Sequence, residues 1–230
     1  EISTRDWSSD VCSSDLLIKN ERSRIELAMK DLGFYYFDQD YLLYLADTSN
    51  NSYTISLKLA LKPETPAFAR QTYQIGNVAI AKDFRLENYH PDTTKTGDFT
   101  VIAETDYIRD HVVLNSVLLT PGSLYARDRH NNSVRQLMGL QAYRFVNVRF
   151  SETGDNLLNA TYELTLMKKM SLSAEANTVS KSNNFVGPGL MLRYRNRNLL
   201  RGAELLTINM SGRFERQVAG EGMGDTAYEI

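Results

Sequence analysis

Three histidines, a run of glycines and a cluster of arginines are the residues whose types invite chemistry. His90, His111 and His130 fall in different predicted elements. No H-E-x-x-H or other metal-ligand spacing joins them, so they read as surface residues. No G-x-S-x-G elbow occurs, which argues against a hydrolase domain within this stretch of chain. Nor does a phosphate-binding glycine loop: Gly220, Gly222 and Gly224 read as a flexible loop between strands. Arg193, Arg195, Arg197 and Arg201 would suit an anion, but the first three recur at every second position. The duller reading, arginines lining a watery interior near its rim, is preferred. No catalytic set, cofactor site or metal site is read among these residues. What remains is the chemistry of the backbone itself, hydrogen bonds offered along strand edges.

Those edges depend on strands, and the strand signal is strongest from Lys168 to Gln217. Met170, Leu172, Ala174 and Ala176 interleave with Ser171, Ser173, Glu175 and Asn177. Leu190, Leu192 and Tyr194 alternate with Met191, Arg193 and Arg195, and Leu206, Ile208, Met210 and Phe214 with Thr207, Asn209, Ser211, Arg213 and Glu215. A period of two is that of strands with one apolar and one polar face. A soluble sandwich and a membrane barrel both produce it.

Composition narrows the choice. The chain has 230 residues, 42% hydrophobic and 23% charged, the balance of an ordinary folded protein. It has no run of about eighteen apolar residues, hence no candidate transmembrane helix. A barrel is then the one way this chain would span a bilayer, and three strands cannot close one, so the chain reads as soluble or as part of something longer. Asp6 to Leu16, DWSSDVCSSDL, matches a translated reading frame of a common sequencing adapter. Residues 1–16 are therefore set aside as foreign. With them go the single cysteine, Cys12, and the single tryptophan, Trp7, so no disulfide or thiolate site is expected. Four acids and one base also go, which moves the net charge from −2 to +1. No nucleic-acid partner is implied.

Taken in order, Glu21 to Leu32 carries Ile25, Met29 and Leu32 at helical spacing, and Gly33 should end that helix. Phe34 to Ala46 reads as a strand, Asp47 to Ser52 as a turn, and Tyr53 to Leu61 as a strand covered on one side. Lys62 to Pro66 is a stiff linker. A second unit starts near Phe68, its strand slipping phase at Gly76 and Asn77, the mark of a bulge. Lys82 to Asp106 reads as an inserted, projecting hairpin. Helices are expected at Tyr107–Leu119 and Arg129–Ala142, then strands at Phe145–Phe150 and Leu158–Leu166. The second unit thus repeats the order of the first, and each is an α+β module. Lys168 and Lys169, at the join to the alternating strands, mark a natural hinge.

Strand, helix, helix, strand, strand is the plan of a POTRA (polypeptide-transport-associated) domain. Leu119, Pro121, Gly122 and Tyr125, followed by Leu137, Gly139, Tyr143 and Phe145 to Phe150, resemble such a domain from its first helix into its second strand. The stretch GPGLMLRYRNRNLLRG, Gly187 to Gly202, resembles the early barrel of the BamA/TamA-type outer-membrane assembly proteins, and the insert resembles versions from the Bacteroidetes group. The resemblance implies residues 17–66 as the C-terminal part of one POTRA-like domain and 67–167 as a complete one with its insert at 82–106. Residues 168–230 would begin a transmembrane β-barrel. The fold class is thus α+β, β-α-α-β-β modules followed by the first antiparallel strands of a truncated barrel.

The same resemblance implies a non-enzymatic assembly or translocation factor in the outer membrane of a Gram-negative bacterium, its modules in the periplasm. Its partners would be unfolded outer-membrane or secreted polypeptides, the lipid bilayer, and an accessory lipoprotein or periplasmic protein. Clients would add a strand to an open edge, at Phe145, Val146, Asn147 and Val148 or at Tyr41 and Leu43. Leu190, Leu192, Tyr194, Leu206, Ile208, Met210 and Phe214 would face lipid; Arg193, Arg195, Asn209 and Arg213 would face the lumen. Three alternatives stay open: a soluble periplasmic β-rich binding module, a two-partner secretion transporter, and a barrel fused to an upstream lipase domain.

Overall fold

A computed structural model describes residues 7–47, 56–87, 90–154, 156–180, 185–217 and 226–229. Helix α1, Trp7–Asp31, extends the expected helix back through the adapter-like stretch. Gly33 ends it as expected, at φ +100°, with Phe34 N–H donating back to Met29 O at 3.1 Å. A left-handed residue at this place is how helices satisfy their last carbonyls.

The segment after it departs from expectation. Phe34 to Asp38 is a loop, Gln39–Tyr41 is a 3-10 turn capped by the Asp38 carboxylate, and strand β1 is only Leu42–Asp47. Aromatics favour strands because of what they pack against. Here Tyr35 and Tyr36 find that packing in tertiary contact with Tyr73, Tyr125, Phe68 and Phe150, and the local tendency yields. Strand β2, Ser56–Leu61, pairs antiparallel with β1. The expected turn at 47–52 and the start of the second strand lie largely outside the described residues. Leu57, Leu59 and Leu61 are exposed, so the cover expected on one side of β2 is absent among the described residues.

The second unit follows a 3-10 turn at Ala67–Arg70. Strand β3 is Gln74–Ala81, β4 Asp92–Thr96 and β5 Phe99–Ala103. Helices α2, Asp110–Leu114, and α3, Arg127–Gly139, come next. Strands β6, Tyr143–Glu152, and β7, Leu157–Leu166, close the unit. They form one sheet in the order β4-β5-β3-β7-β6. Strand β3 runs parallel to both its neighbours, while β4–β5 and β6–β7 are antiparallel hairpins. The bulge falls where the phase slip places it: the β3–β7 register shifts between Ile75 and Val78, and Asn159 Oδ1 accepts from Asn77 N–H there at 2.8 Å.

Two expectations are corrected. The helix read over Tyr107–Leu119 is only α2. Asn115 and Ser116 are weak helix formers, and Leu118 N–H donates to Ser133 Oγ at 2.8 Å instead of continuing a helical ladder. Val117 and Leu119 are buried as irregular chain. The insert does not project either. It lays β5 along the free side of β3, pairing backbone groups that would otherwise lack a partner. Buried Asp83 holds its base by accepting from the N–H groups of Glu104 and Thr105 and from Thr105 Oγ1.

Strand β7 shows the expected alternation: Leu158, Ala160, Tyr162 and Leu164 are buried while their neighbours are half-exposed. They join Tyr73, Ile75, Val78, Ile80, Leu137 and Tyr143 in one core beneath the helices. The opposite face of the sheet carries Asn159, Thr161, Glu163 and Thr165, the pattern of a sheet covered on one side.

Beyond Leu166 lies a second, all-antiparallel sheet of β8, Met170–Ser180, β9, Phe185–Arg197, β10, Leu205–Gln217, and β11, Thr226–Glu229, in the order β11-β10-β9-β8. The three alternating segments are strands, β11 is a fourth, and the glycine loop lies outside the described residues. Among the described residues the sheet stays open. The β9–β10 ladder passes from the pair Gly189/Arg213 to Val186/Arg216, leaving out Pro188, which has no N–H to give. Beside it, a Cβ on Gly187 would run into the backbone of Phe214, whereas a Cβ on Gly212 meets nothing. We therefore expect Gly187→Ala to weaken the β9–β10 ladder and Gly212→Ala to leave it intact, read as amide hydrogen exchange in β9 and β10. Equal protection in both variants would contradict this packing.

Candidate functional site

Two surfaces and the joint between them stand out. The first is the outer edge of β6. In the sheet order β6 is terminal, and among the described residues no strand pairs with its outer side. Its helix-facing residues Val146, Val148 and Phe150 are only half-buried, and Phe145 is 59% exposed with Arg144 over its ring. At the Phe150 end the edge opens into a cleft of about 520 Å³, lined by Tyr35, Tyr36, Tyr125, Arg127, His130 and Val148 among others. The rings there meet edge-on: Tyr35 with Tyr125, Tyr125 with Phe150, and His130 with Phe150. Burial pushes the Tyr125 hydroxyl pKa up, and the same desolvation, with Arg127 nearby, lowers that of His130.

Of the six residues expected at strand edges, Phe145, Val146, Asn147 and Val148 lie on this free edge. Tyr41 does not lie on a strand; it belongs to the 3-10 turn, where its carbonyl accepts from Lys62 N–H at 2.9 Å. Leu43 is on β1, opposite Ala60. His130, read as a surface residue, is instead half-buried against Phe150.

The second surface is one face of the four-stranded sheet. The register places Leu192 between Ala174 and Met210, and Tyr194 between Leu172 and Ile208. Phe214 lies opposite Tyr228. Leu190, Leu206, Ile208, Met210, Phe214 and Tyr228 are all more than a third exposed, so among the described residues this apolar face is uncovered. The other face carries Arg193, whose Nε donates to Asn209 Oδ1 at 3.1 Å, and Arg195 opposite Thr207 and Ser171. Arg213 approaches Glu215 at 3.7 Å on the same side. All the residues expected on each face share that face.

The arginine cluster is divided: Arg201 leaves the strand and pairs with Asp106 of the α/β unit. This belongs to the joint, whose members carry no periodic signal. The β9–β10 turn, 198–204, lies against the start of α2. Asn198, 1% exposed, donates from Nδ2 to Tyr107 O at 2.5 Å and accepts at Oδ1 from Ala203 N–H at 3.0 Å. Tyr107 Oη donates to Arg197 O at 3.1 Å, and Arg109 N–H to Arg201 O at 3.0 Å. Asn198, Arg201 and Ala203 all have positive φ, a region that costs a residue with a side chain about 1–2 kcal/mol. The join at Lys168 and Lys169, expected to be a hinge, is thus bridged by a second set of contacts. Lys169 also places its ammonium 5.9 Å from the Tyr107 ring centre.

No family model matches the chain, and no curated protein matches it by sequence. Among solved structures, the crystal structure of BamA from Haemophilus ducreyi lacking POTRA domains 1–3 is similar to it, with a TM-score of 0.50 and 10% identity. The match takes in 84% of this chain and 31% of that one, so this chain spans under a third of it. At that identity the likeness is one of fold. A share of 84% exceeds what the strands after Leu166 make up, so the likeness extends into the α/β part.

The cleft makes a pH prediction. A histidine whose folded pKa is lowered binds fewer protons folded than unfolded, so stability falls as pH drops through its ordinary value of 6.5. The melting temperature of the α/β unit should therefore decline on acidification through that range, and His130→Gln should flatten the decline. An identical decline in the variant would remove His130 as its source.

Proposed function

We propose that this chain is part of an outer-membrane protein assembly or translocation factor, a non-enzymatic machine that receives unfolded polypeptide and passes it toward the bilayer. The observation that carries the reading is the uncovered apolar face of β8–β11, backed by arginines and polar residues and joined directly to the α/β unit of β3 to β7. In water such a face would drive association. In a bilayer it is what a barrel presents to lipid, with the polar side turned to the lumen. On this reading Leu190, Leu192, Tyr194, Leu206, Ile208, Met210 and Phe214 face lipid, and Arg193, Arg195, Asn209 and Arg213 face the lumen. The fold likeness to BamA supports it, as does the resemblance of Gly187 to Gly202 to the BamA/TamA-type assembly proteins.

Residues 67–167 are read as a POTRA-like domain. Its third strand, β7, lies between a parallel first strand, β3, and an antiparallel second, β6, with β4 and β5 added outside. Residues 17–66 are read as the end of a preceding module. Placed in the periplasm of a Gram-negative cell, the β6 edge takes an extended client as an added strand. Main-chain hydrogen bonds supply the affinity, indifferent to sequence, and the half-buried Val146, Val148 and Phe150 favour apolar client residues at alternate positions.

Proline at Val146, Asn147 and Val148 in turn tests the edge, because three successive positions include both backbone phases. Where the N–H points outward, proline is tolerated by an edge strand yet cannot donate to a client. Crosslinking to an extended client peptide should fall at least tenfold in a variant that still folds. Unchanged crosslinking in all folded variants would sink the strand-addition reading. The membrane assignment is tested separately: the chain should require detergent or lipid to stay dispersed, and a monodisperse monomer in plain buffer would count against it.

A further inference from the structure

The peptide chain links the α/β unit to the strand sheet only through Met167–Lys169, yet the two touch again at the β9–β10 turn. We infer that this turn is a lock that holds the α/β unit in one orientation on the strand sheet, and that the 82–106 insert serves to build the surface that receives it.

The lock is made of fixed parts. Asn198 is almost fully buried, and one side chain answers both bodies at once, its amide nitrogen on Tyr107 O of the unit and its oxygen on Ala203 N–H of its own turn. Asn198 N–H is bonded too, to Glu204 O at 2.6 Å, and the Glu204 carboxylate accepts from Leu200 and Gly202 N–H groups at 3.1 Å each. Three residues in left-handed conformations within one short turn persist only where surroundings dictate the shape, and here the surroundings are Tyr107 to Asp110. Ala203 packs against the core of the α/β unit. A side-chain bond, Tyr107 Oη to Arg197 O, and a backbone bond, Arg109 N–H to Arg201 O, flank the asparagine.

The insert supplies the seat. Lys82, its first residue, is buried and donates to Ile108 O at 3.0 Å and to the Asp110 carboxylate. The last, Asp106, lies 3.8 Å from the Lys82 ammonium and accepts Arg201 from the turn. Both ends of the insert therefore meet under the chain that bonds Asn198, and Asp83 staples them through Glu104 and Thr105. The Arg201–Asp106 pair is substantially exposed on both sides, and exposed pairs contribute little. Asn198 and the Lys82 base therefore carry the lock, and Arg201 only trims it.

Pulsed dipolar spectroscopy on the full chain in detergent micelles tests this, with Cys12→Ser and spin labels at Arg135→Cys on α3 and Glu175→Cys on β8. A second pair within the unit, Arg135→Cys and Ser151→Cys, reports its folding. The expected result is one narrow distance distribution between unit and sheet. Asn198→Ala should widen it at least twofold and Lys82→Met should also widen it, while Arg201→Ala and molar salt should leave it nearly unchanged, with the internal pair narrow throughout. A broad distribution in the parent chain, or a narrow one in Asn198→Ala, overturns the lock. A narrow one in Lys82→Met overturns the role of the insert. Should Asn198→Ala disturb the internal pair, Tyr107→Phe, which removes only the hydroxyl, decides by the same reading.

Discussion

Strand β7 is the element on which the rest depends. Both β3 and β6 bond to it, so without it β6 would have no partner in the sheet and β3 would keep only β5. Its buried phase, Leu158 to Leu164, is the floor against which Leu137 of α3 and Val113 of α2 find their burial. Because sheet register fixes which side chains point inward, setting β7 sets the side chains of both neighbours. It also ends within a few residues of β8, so the direction in which the second sheet leaves the first is inherited from this strand.

Much of this was legible in the chain, and what was legible was local. Alternation found β7, β8, β9 and β10, and the phase slip at Gly76 and Asn77 found the bulge. Where local preference was the only guide it misled: Tyr35 and Tyr36 favour strands, yet Tyr35 packs on Tyr125 and Phe150, far along the chain, and Tyr36 on Phe68 and Tyr73. The helix read over Tyr107 to Leu119 failed for a similar reason, since the N–H that would have continued it is taken by Ser133. The edge at Phe145 to Val148 is an expectation from the POTRA resemblance, and the sheet order leaves β6 terminal. The joint was not legible, because Tyr107 and Asn198 stand 91 positions apart and no periodicity marks such a pair. Arginine alternation in β9 hinted at a shared face but gave no sign that Arg201 would leave it.

Among the described residues two apolar faces are uncovered, and they differ in kind. On β2, Leu57, Leu59 and Leu61 belong to a two-stranded sheet, which by itself has little stability in water. On β8–β11 the apolar face is longer, continuous across strands, and matched by an opposite face with its own polar contacts, Arg193 to Asn209 among them. The first is a small sheet without cover among the described residues. The second is a broad sheet with one apolar side and one polar side.

The start of α3 has no side chain of its own to cap it: Ala126 precedes the helix, and a helix leaves its first N–H groups without acceptors. The acceptor comes from elsewhere, as Asp31 at the end of α1 takes the Asp128 N–H at 2.7 Å. A cap of this sort is worth about 1 kcal/mol, and a carboxylate there also suits the helix dipole. Helix α1 therefore acts as a thumb on the start of α3. Were it to swing away, the opening turn of α3, which carries Arg127 and His130, would fray, and the aromatic cleft would lose one wall. The posture of α1 is in this way transcribed into the shape of the cleft.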